Sequence, residues 1–310
     1  MSDNFRRYRA IRDALTPCYP GQPSGTVARH LITLAALISG IVGSKSTQLP
    51  HIAAQVPNGT KPESRVTRLT RWVDNAHLLE EVYFLPSAEV LLRHLALQTL
   101  VLVMDGSSVG RGGTALMIHV VSKGRALPLA WRVRQCPKGH CPEDLHIALV
   151  ELVLELIPEG TKVVFLGDGE FDGRQLQETM HEAGWWYACR TSKGNTATWD
   201  DETFHVDELG ACLKPGRLIE LKEVAVTREA YGPVMLLCCW AQGHAEPLYL
   251  VRNRSSAEDA IDYYTKRFRI ETFFSDQKSR GFNIHKSHLT DPQRLSRLLI
   301  ASCLAYIWLV

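Results

Sequence analysis

A chain of 310 residues has room for more than one domain, and a hydrophobic share of 45% fills a sizeable core, which excludes a largely disordered chain. The formal net charge of +2 hides a division: residues 1–97 carry +4, residues 98–251 carry −6 and residues 252–310 carry +4. An acidic middle between basic ends suits a cation site inside a polyanion-binding frame.

The first twelve residues are polar and arginine-rich with no apolar stretch behind them, so no signal peptide opens the chain. Residues 26–42 predict a mostly apolar helix stopped by Gly43. Its apolar part, 31–42, is too short to span a bilayer, and no membrane association is expected. Thr47 is placed to cap a short helix over 48–56, which Pro57-Asn58-Gly59 breaks. A second helix over 63–73 puts Val66, Leu69 and Val73 on one face and Arg65, Arg68 and Arg71 on the other. Two short helices around a glycine-containing turn, the second with an outward arginine face, resemble a helix-turn-helix that reads DNA. An ordinary surface helix can carry the same arginines.

Near residue 98 the period changes. Residues 100–104 form a continuous apolar run that predicts a buried strand ending at Asp105, with 106–113 as a glycine-rich turn. That turn lacks a G-K-[ST] ending and a following helix, so nucleotide binding is not expected there. Strands follow at 115–121 and 126–133, joined by Ser122-Lys123-Gly124. The run C-P-K-G-H-C at 136–141 has no second ligand pair for a structural zinc and reads as loop. Eight scattered cysteines, two of them adjacent at Cys238 and Cys239, do not form a secreted disulfide framework, so a cytoplasmic location is expected. A helix over 145–157, a strand over 163–166 ending at Gly167-Asp168, a helix over 173–183 and a strand over 185–190 come next. Residues 195–245 alternate in short stretches between Pro-Gly and Gly-Pro turns, a β-rich insertion. A strand over 247–251, a long helix over 257–280 and a last helix opened by Pro292 complete the pass. The chain stops inside the apolar run 298–310, as if that helix packs against something else or a longer protein has been cut. The pattern predicts a mixed α/β fold: helical residues 1–97, a core over 98–194 and 248–310, and the insertion over 195–247.

Asp105 and Asp168 each follow a buried strand, where a sheet presents polar groups to a cleft. For either aspartate alone, a turn cap before glycine is the better explanation, and the third element shifts the balance. The helix after residue 257 adds Tyr264, Arg267, Glu271 and Lys278 at offsets of 3, 7 and 14. At ~100° per residue these fall within a sector of roughly 60°. A seven-residue repeat normally marks an apolar seam, and here every repeating position is polar. Phe268, Phe273 and Phe274 are left to make the buried contacts.

The spacing Tyr264-x-x-Arg267-x-x-x-Glu271-x-x-x-x-x-x-Lys278 resembles the Y-R-E-K signature of bacterial DDE transposases of the insertion-sequence-four family. Asp105 in V-M-D-G-S resembles that family's first catalytic aspartate, and Asp168 in F-L-G-D-G-E-F-D-G its second, with Asp172 as the competitor. A β-rich insertion before the glutamate is typical of the family as well. The resemblance covers roughly residues 98–290. It implies an RNase H-like core and a DNA transposase that cuts transposon ends and joins them to target DNA. Two Mg²⁺ ions about 3.5–4 Å apart, which Mn²⁺ can replace, would act through Asp105, Asp168 and Glu271. Arg267 and Lys278 would grip phosphates, Tyr264 would position the DNA backbone, and Tyr249 or Trp240 would stack a flipped base. Partners implied are double-stranded DNA (terminal repeats and target) and a second copy of the chain, with a nucleoid-associated location in a bacterial cytoplasm. Another RNase H-like endonuclease and an inactive, DNA-binding transposase remnant are the competing expectations.

Overall fold

The computed structural model describes residues 3–19, 21–57, 59–254 and 256–310; Asn58, in the expected break between the two short helices, lies outside them. The first part of the chain is helical: α1 (Asp3–Leu15), α2 (Gly25–Ser44), α3 (Leu49–Gln55), α4 (Pro62–Asp74), α5 (Glu80–Tyr83) and α6 (Leu85–Leu95). Gly43 does not stop α2. Lys45 does so in the left-handed region at φ 50°, its N–H donating to the Ile41 carbonyl. At Gly40 a Cβ would stand 2.8 Å from the Ile52 carbonyl, so its absence lets α3 pack directly on α2. Thr47 is not the cap expected of it. It is buried, and α3 starts after Gln48 with no side-chain cap. The full length of α2 is long and apolar enough to cross a membrane, contrary to the shorter span read from the apolar run alone. Leu34 to Ile38 and Ile41 are buried inside the protein.

Residues 98–310 build the sheet and the remaining helices. In chain order these are β1 (Leu100–Val109), β2 (Gly113–Ser122), β3 (Arg125–Arg134), α7 (Glu143–Leu154), β4 (Val163–Gly167), α8 (Arg174–Glu182) and β5 (Trp186–Arg190). After these come β6 (Thr196–Trp199), β7 (Glu202–His205), α9 (Val206–Ala211), β8 (Arg217–Val226), β9 (Tyr231–Trp240) and β10 (Leu248–Arg252). The chain closes with α10 (Ala257–Thr265), α11 (Arg269–Gln277) and α12 (Pro292–Leu309). Among the described residues ten strands form one mixed sheet in the order β3-β2-β1-β4-β5-β10-β9-β8-β6-β7. β1 pairs antiparallel with β2 and parallel with β4, and β4 pairs parallel with β5; the remaining pairs are antiparallel. The β-rich insertion therefore extends the main sheet, with β10 seated between β5 and the insertion's β9.

Two expected boundaries move, and both bear on function. β1 does not end at Asp105. It runs on to Val109, and the turn is confined to Gly110-Arg111-Gly112, where the two glycines take φ of 55° and 81°. Gly106 stays in the ladder opposite Leu116. The long helix over 257–280 is broken: α10 and α11 are separated by a 3-10 turn, Lys266–Phe268, and α11 ends at Gln277.

One hydrophobic core runs across residue 97 without a gap, from Ile11 on α1 to Tyr306 on α12. Polar contacts hold the same junction. Glu80 of α5 pairs with Arg132 of β3 at 3.3 Å and accepts the Ser296 hydroxyl, which itself accepts the Trp131 indole N–H at 2.7 Å. From α12, Arg297 donates to the Val73 carbonyl at 2.5 Å and Arg294 pairs with Asp74 at 2.6 Å.

Candidate active site

The site is built from the parallel pair at the centre of the sheet. Val103 of β1 stands beside Leu166 of β4. Two residues further along come Asp105 on β1 and, one residue past the end of β4, Asp168, close enough for their charges to interact. Asp105 is 4% exposed and accepts the Gly106 N–H at 2.7 Å, with the Lys138 ammonium 3.7 Å from its Oδ1. Burial pushes its carboxyl up to about 6, and the charge of Asp168 adds to the rise; Lys138, the Gly106 N–H and Arg267 oppose it. Asp168 lies one residue past β4. Its Oδ1 accepts the Glu170 N–H and its carbonyl the Phe171 N–H, both at 3.0 Å, so it shapes the turn as well as facing Asp105.

The third element comes from the broken helix. Tyr264 is buried near the end of α10, and Arg267 is buried in the 3-10 turn with its guanidinium 5.7 Å from the Tyr264 ring and 4.7 Å from the Phe268 ring. Glu271, in the first turn of α11, is 57% exposed and pairs with Arg267 at 3.5 Å. Lys278 lies just past α11 in a non-helical conformation. The single stripe expected from ~100° steps is therefore not continuous, because a 3-10 turn advances by a different angle and Lys278 is off the helix. Phe268, expected to be buried, is 52% exposed, whereas Phe273 and Phe274 are buried as expected.

Electrostatics shows how closely the pieces converge. Burial raises the Tyr264 hydroxyl to about 12, Asp168 adding to the rise while Arg267 and Arg190 oppose it. Burial lowers Lys278, with Lys138 lowering it further and Asp105 raising it. Asp105, Asp168, Tyr264, Arg267 and Lys278 thus share one field, and Glu271 reaches them through Arg267. Among the described residues no three carboxylate, histidine or cysteine groups stand close enough to hold a metal ion together. A closed three-carboxylate cage is thus not assembled, because Glu271 turns outward onto Arg267. The donors themselves are hard oxygens, and the buried Asp105 carboxyl beside a second aspartate is the environment that a divalent cation would relieve.

The comparisons with known proteins fit this geometry. A model of the transposase DDE domain matches residues 99–308, more than half of the chain. The chain belongs to that family. The structure is also similar to a piggyBac transposase seen by cryo-EM in a synaptic complex with hairpin DNA. The TM-score is 0.51 at 12% identity, over 99% of this chain and 74% of that one. At that identity the likeness is one of fold. No curated protein matches. The transposase domain thus starts at β1 and contains both aspartates and the broken helix.

Other expected residues take different places around this cluster. Asp172 is occupied in bracing a loop: it accepts the Thr191 hydroxyl at 2.8 Å and the Asn195 amide at 3.1 Å. Tyr249 is buried, with its edge on a cavity of about 480 Å³ that Asp168, Lys138, Arg190 and Lys193 also line. Trp240 ends β9, its indole N–H donating to the His244 carbonyl in the following turn at 2.9 Å. On α4 the three arginines diverge. Arg65 donates to the Ala53 and Val56 carbonyls at 3.1 and 3.0 Å and so closes the end of α3; Arg68 is half-buried, and Arg71 is exposed. Lys138 was missed from the sequence. It sits in the C-P-K-G-H-C loop, and nothing local to that loop signals that β2 and β3 carry it back to Asp105.

Proposed function

We propose that the chain is a DNA transposase of the insertion-sequence-four type that cuts transposon ends and joins them to target DNA by phosphodiester hydrolysis and transesterification. The observation that carries this reading is the electrostatic coupling of Asp105 to Asp168 at the ends of the adjacent strands β1 and β4, with the charges of Lys138, Arg267 and Lys278 in the same field. The strand order β3-β2-β1-β4-β5, with antiparallel β1 to β3 and parallel β4 and β5, supports an RNase H-like core.

Asp105 and Asp168 would hold Mg²⁺, or Mn²⁺ in its place, and Glu271 would complete the set once released from Arg267. The bound cations would activate the attacking oxygen and stabilise the leaving one. The chain's own residues do the rest. Release of Glu271 frees the Arg267 guanidinium to take a phosphate through two parallel hydrogen bonds, and Lys278 neutralises a neighbouring phosphate. Tyr264, buried beneath them, sets the position of Arg267 through ring contact. Double-stranded DNA is the partner, a second copy of the chain holds the other transposon end, and the bacterial cytoplasm is the location.

The deciding experiment incubates the full chain with DNA bearing matched terminal repeats and Mg²⁺, and follows nicking and strand transfer. Glu271→Gln, Asp105→Asn and Asp168→Asn each should reduce cleavage by at least about 10²–10³-fold, the scale of losing one group that stabilises the transition state. Cleavage without joining would favour another RNase H-like endonuclease. Binding without either reaction would favour an inactive DNA-binding remnant.

A further inference from the structure

Two thiols flank the loop that carries Lys138 to the Asp105 carboxylate, and the proposed chemistry uses neither. Cys136 and Cys141 bracket the four residues Pro137 to His140, and their sulfurs are 3.0 Å apart with both cysteines free. The two ends of this loop are anchored. The Thr114 hydroxyl on β2 donates to the Cys136 carbonyl at 2.6 Å, and the Cys141 N–H donates to Glu170 at 2.9 Å, in the turn that holds Asp168. Between those anchors Lys138 reaches over to Asp105 at 3.7 Å. A disulfide needs its sulfurs at about 2.05 Å. The pair is therefore within about 1 Å of bonding while its backbone is already held.

The geometry points to a reversible disulfide between Cys136 and Cys141 that locks Lys138 onto Asp105 and so closes the cation site. A low-molecular-weight disulfide such as glutathione disulfide is the oxidant. Cys136 is half-exposed and attacks as thiolate, forming a mixed disulfide and releasing one glutathione. The Cys141 sulfur then attacks the Cys136 sulfur and releases the second. The two thiol protons leave on the two glutathione thiols, so two cysteines are oxidised and one glutathione disulfide is reduced. Cys141 is buried and lies 3.0 Å from the Cys136 sulfur, so it is shielded from the external oxidant and placed for the second, intramolecular step. In the reduced loop the Lys138 ammonium rests 3.7 Å from Asp105 on an unconstrained, half-exposed side chain that a divalent cation can displace; in the oxidised loop the tightened backbone holds it there. The link to cation binding rests on the function proposed above, whereas the disulfide itself does not.

The test treats the full chain with glutathione disulfide and maps the products by alkylation and peptide mass. A dithiothreitol-reversible cross-link between Cys136 and Cys141, lighter by two hydrogens, is the expected result. Full alkylation of both while the exposed Cys212 has taken up glutathione would overturn the proposal. Mn²⁺ affinity, read by electron paramagnetic resonance without DNA, should weaken on the order of tenfold on oxidation. It should not change in Cys136→Ser, which cannot form the bond. Equal Mn²⁺ affinity in both states of the native chain overturns the locking of the site. A chain that cross-links and loses Mn²⁺ affinity but never cleaves DNA discards the transposase reading and leaves the latch standing.

Discussion

Asp105 is the residue on which acid chemistry and stability meet. Its carboxyl is raised from 3.8 to about 6 in the fold. The stability it contributes is fully present below the unfolded value and is lost as pH rises through about 6. Cation binding needs the opposite, ionised form. DNA cleavage at fixed Mg²⁺ should therefore fall as pH drops through about 6, and a rate that stays level from about pH 7 to 5 would refute this role. Arg65 and Arg71 separate two readings of one helix face. Arg65→Ala removes two carbonyl contacts at the end of α3 and should cost about 1–2 kcal/mol of stability, measured by denaturant unfolding. Arg71→Ala should leave stability unchanged and reduce the salt slope of DNA binding by about 1. At this scale the sequence identified the residue types that bear chemistry, because carboxylates at strand ends and polar residues at seam positions are visible locally. Which arginine is free and which is consumed was not legible, since it depends on where the α3 carbonyls lie.

Among elements, β2 meets α11 through aromatic rings two and three residues from Glu271. His119 of β2 is fully buried, 4.4 Å from Phe273 and 5.9 Å from Phe274 between ring centroids. Among the described residues neither of its ring nitrogens has a hydrogen-bond partner. Burial pushes it from 6.5 down to about 3. The sign follows: the stability is present above the unfolded value and is lost as pH falls from about 6.5 toward 3. His119→Leu should stabilise the protein by about 1–2 kcal/mol near neutral pH and flatten stability over that window, as read from urea unfolding at several pH values. A variant as acid-sensitive as the native chain would reject this account. The strands and helices themselves were largely readable, including the tight Lys123-Gly124 turn, where both residues take positive φ as a two-residue hairpin needs. The break between α10 and α11 was not. A periodic pattern of apolar residues looks the same whether one turn inside it is α or 3-10.

For the molecule as a whole, the helices of residues 3–95 and the sheet share one core and a polar clamp at α12. Ser296→Ala would leave the buried Trp131 N–H and Glu80 without their shared partner, at a cost of about 1–3 kcal/mol. Because the core is continuous, this loss should shift one cooperative unfolding transition, seen alike by far-UV and near-UV circular dichroism. Two separated transitions would show that the helical part folds by itself. The same junction links the candidate DNA-reading helix α4 to the sheet that carries the aspartates, through Val73 and Asp74.

Taken alone, the sequence determined the alternation of elements, the family resemblance and the candidate set Asp105, Asp168, Tyr264, Arg267, Glu271 and Lys278. These rest on periodicity, spacing and residue chemistry, which are local properties of a chain. Only the tertiary structure decided that β1 lies beside β4, so that two aspartates 63 positions apart come close enough for their charges to interact. It alone placed Lys138 on Asp105 and turned Glu271 toward Arg267. Strand neighbours, loop returns and the pitch of a helical turn are set by what packs against them, and no single stretch of sequence contains that information.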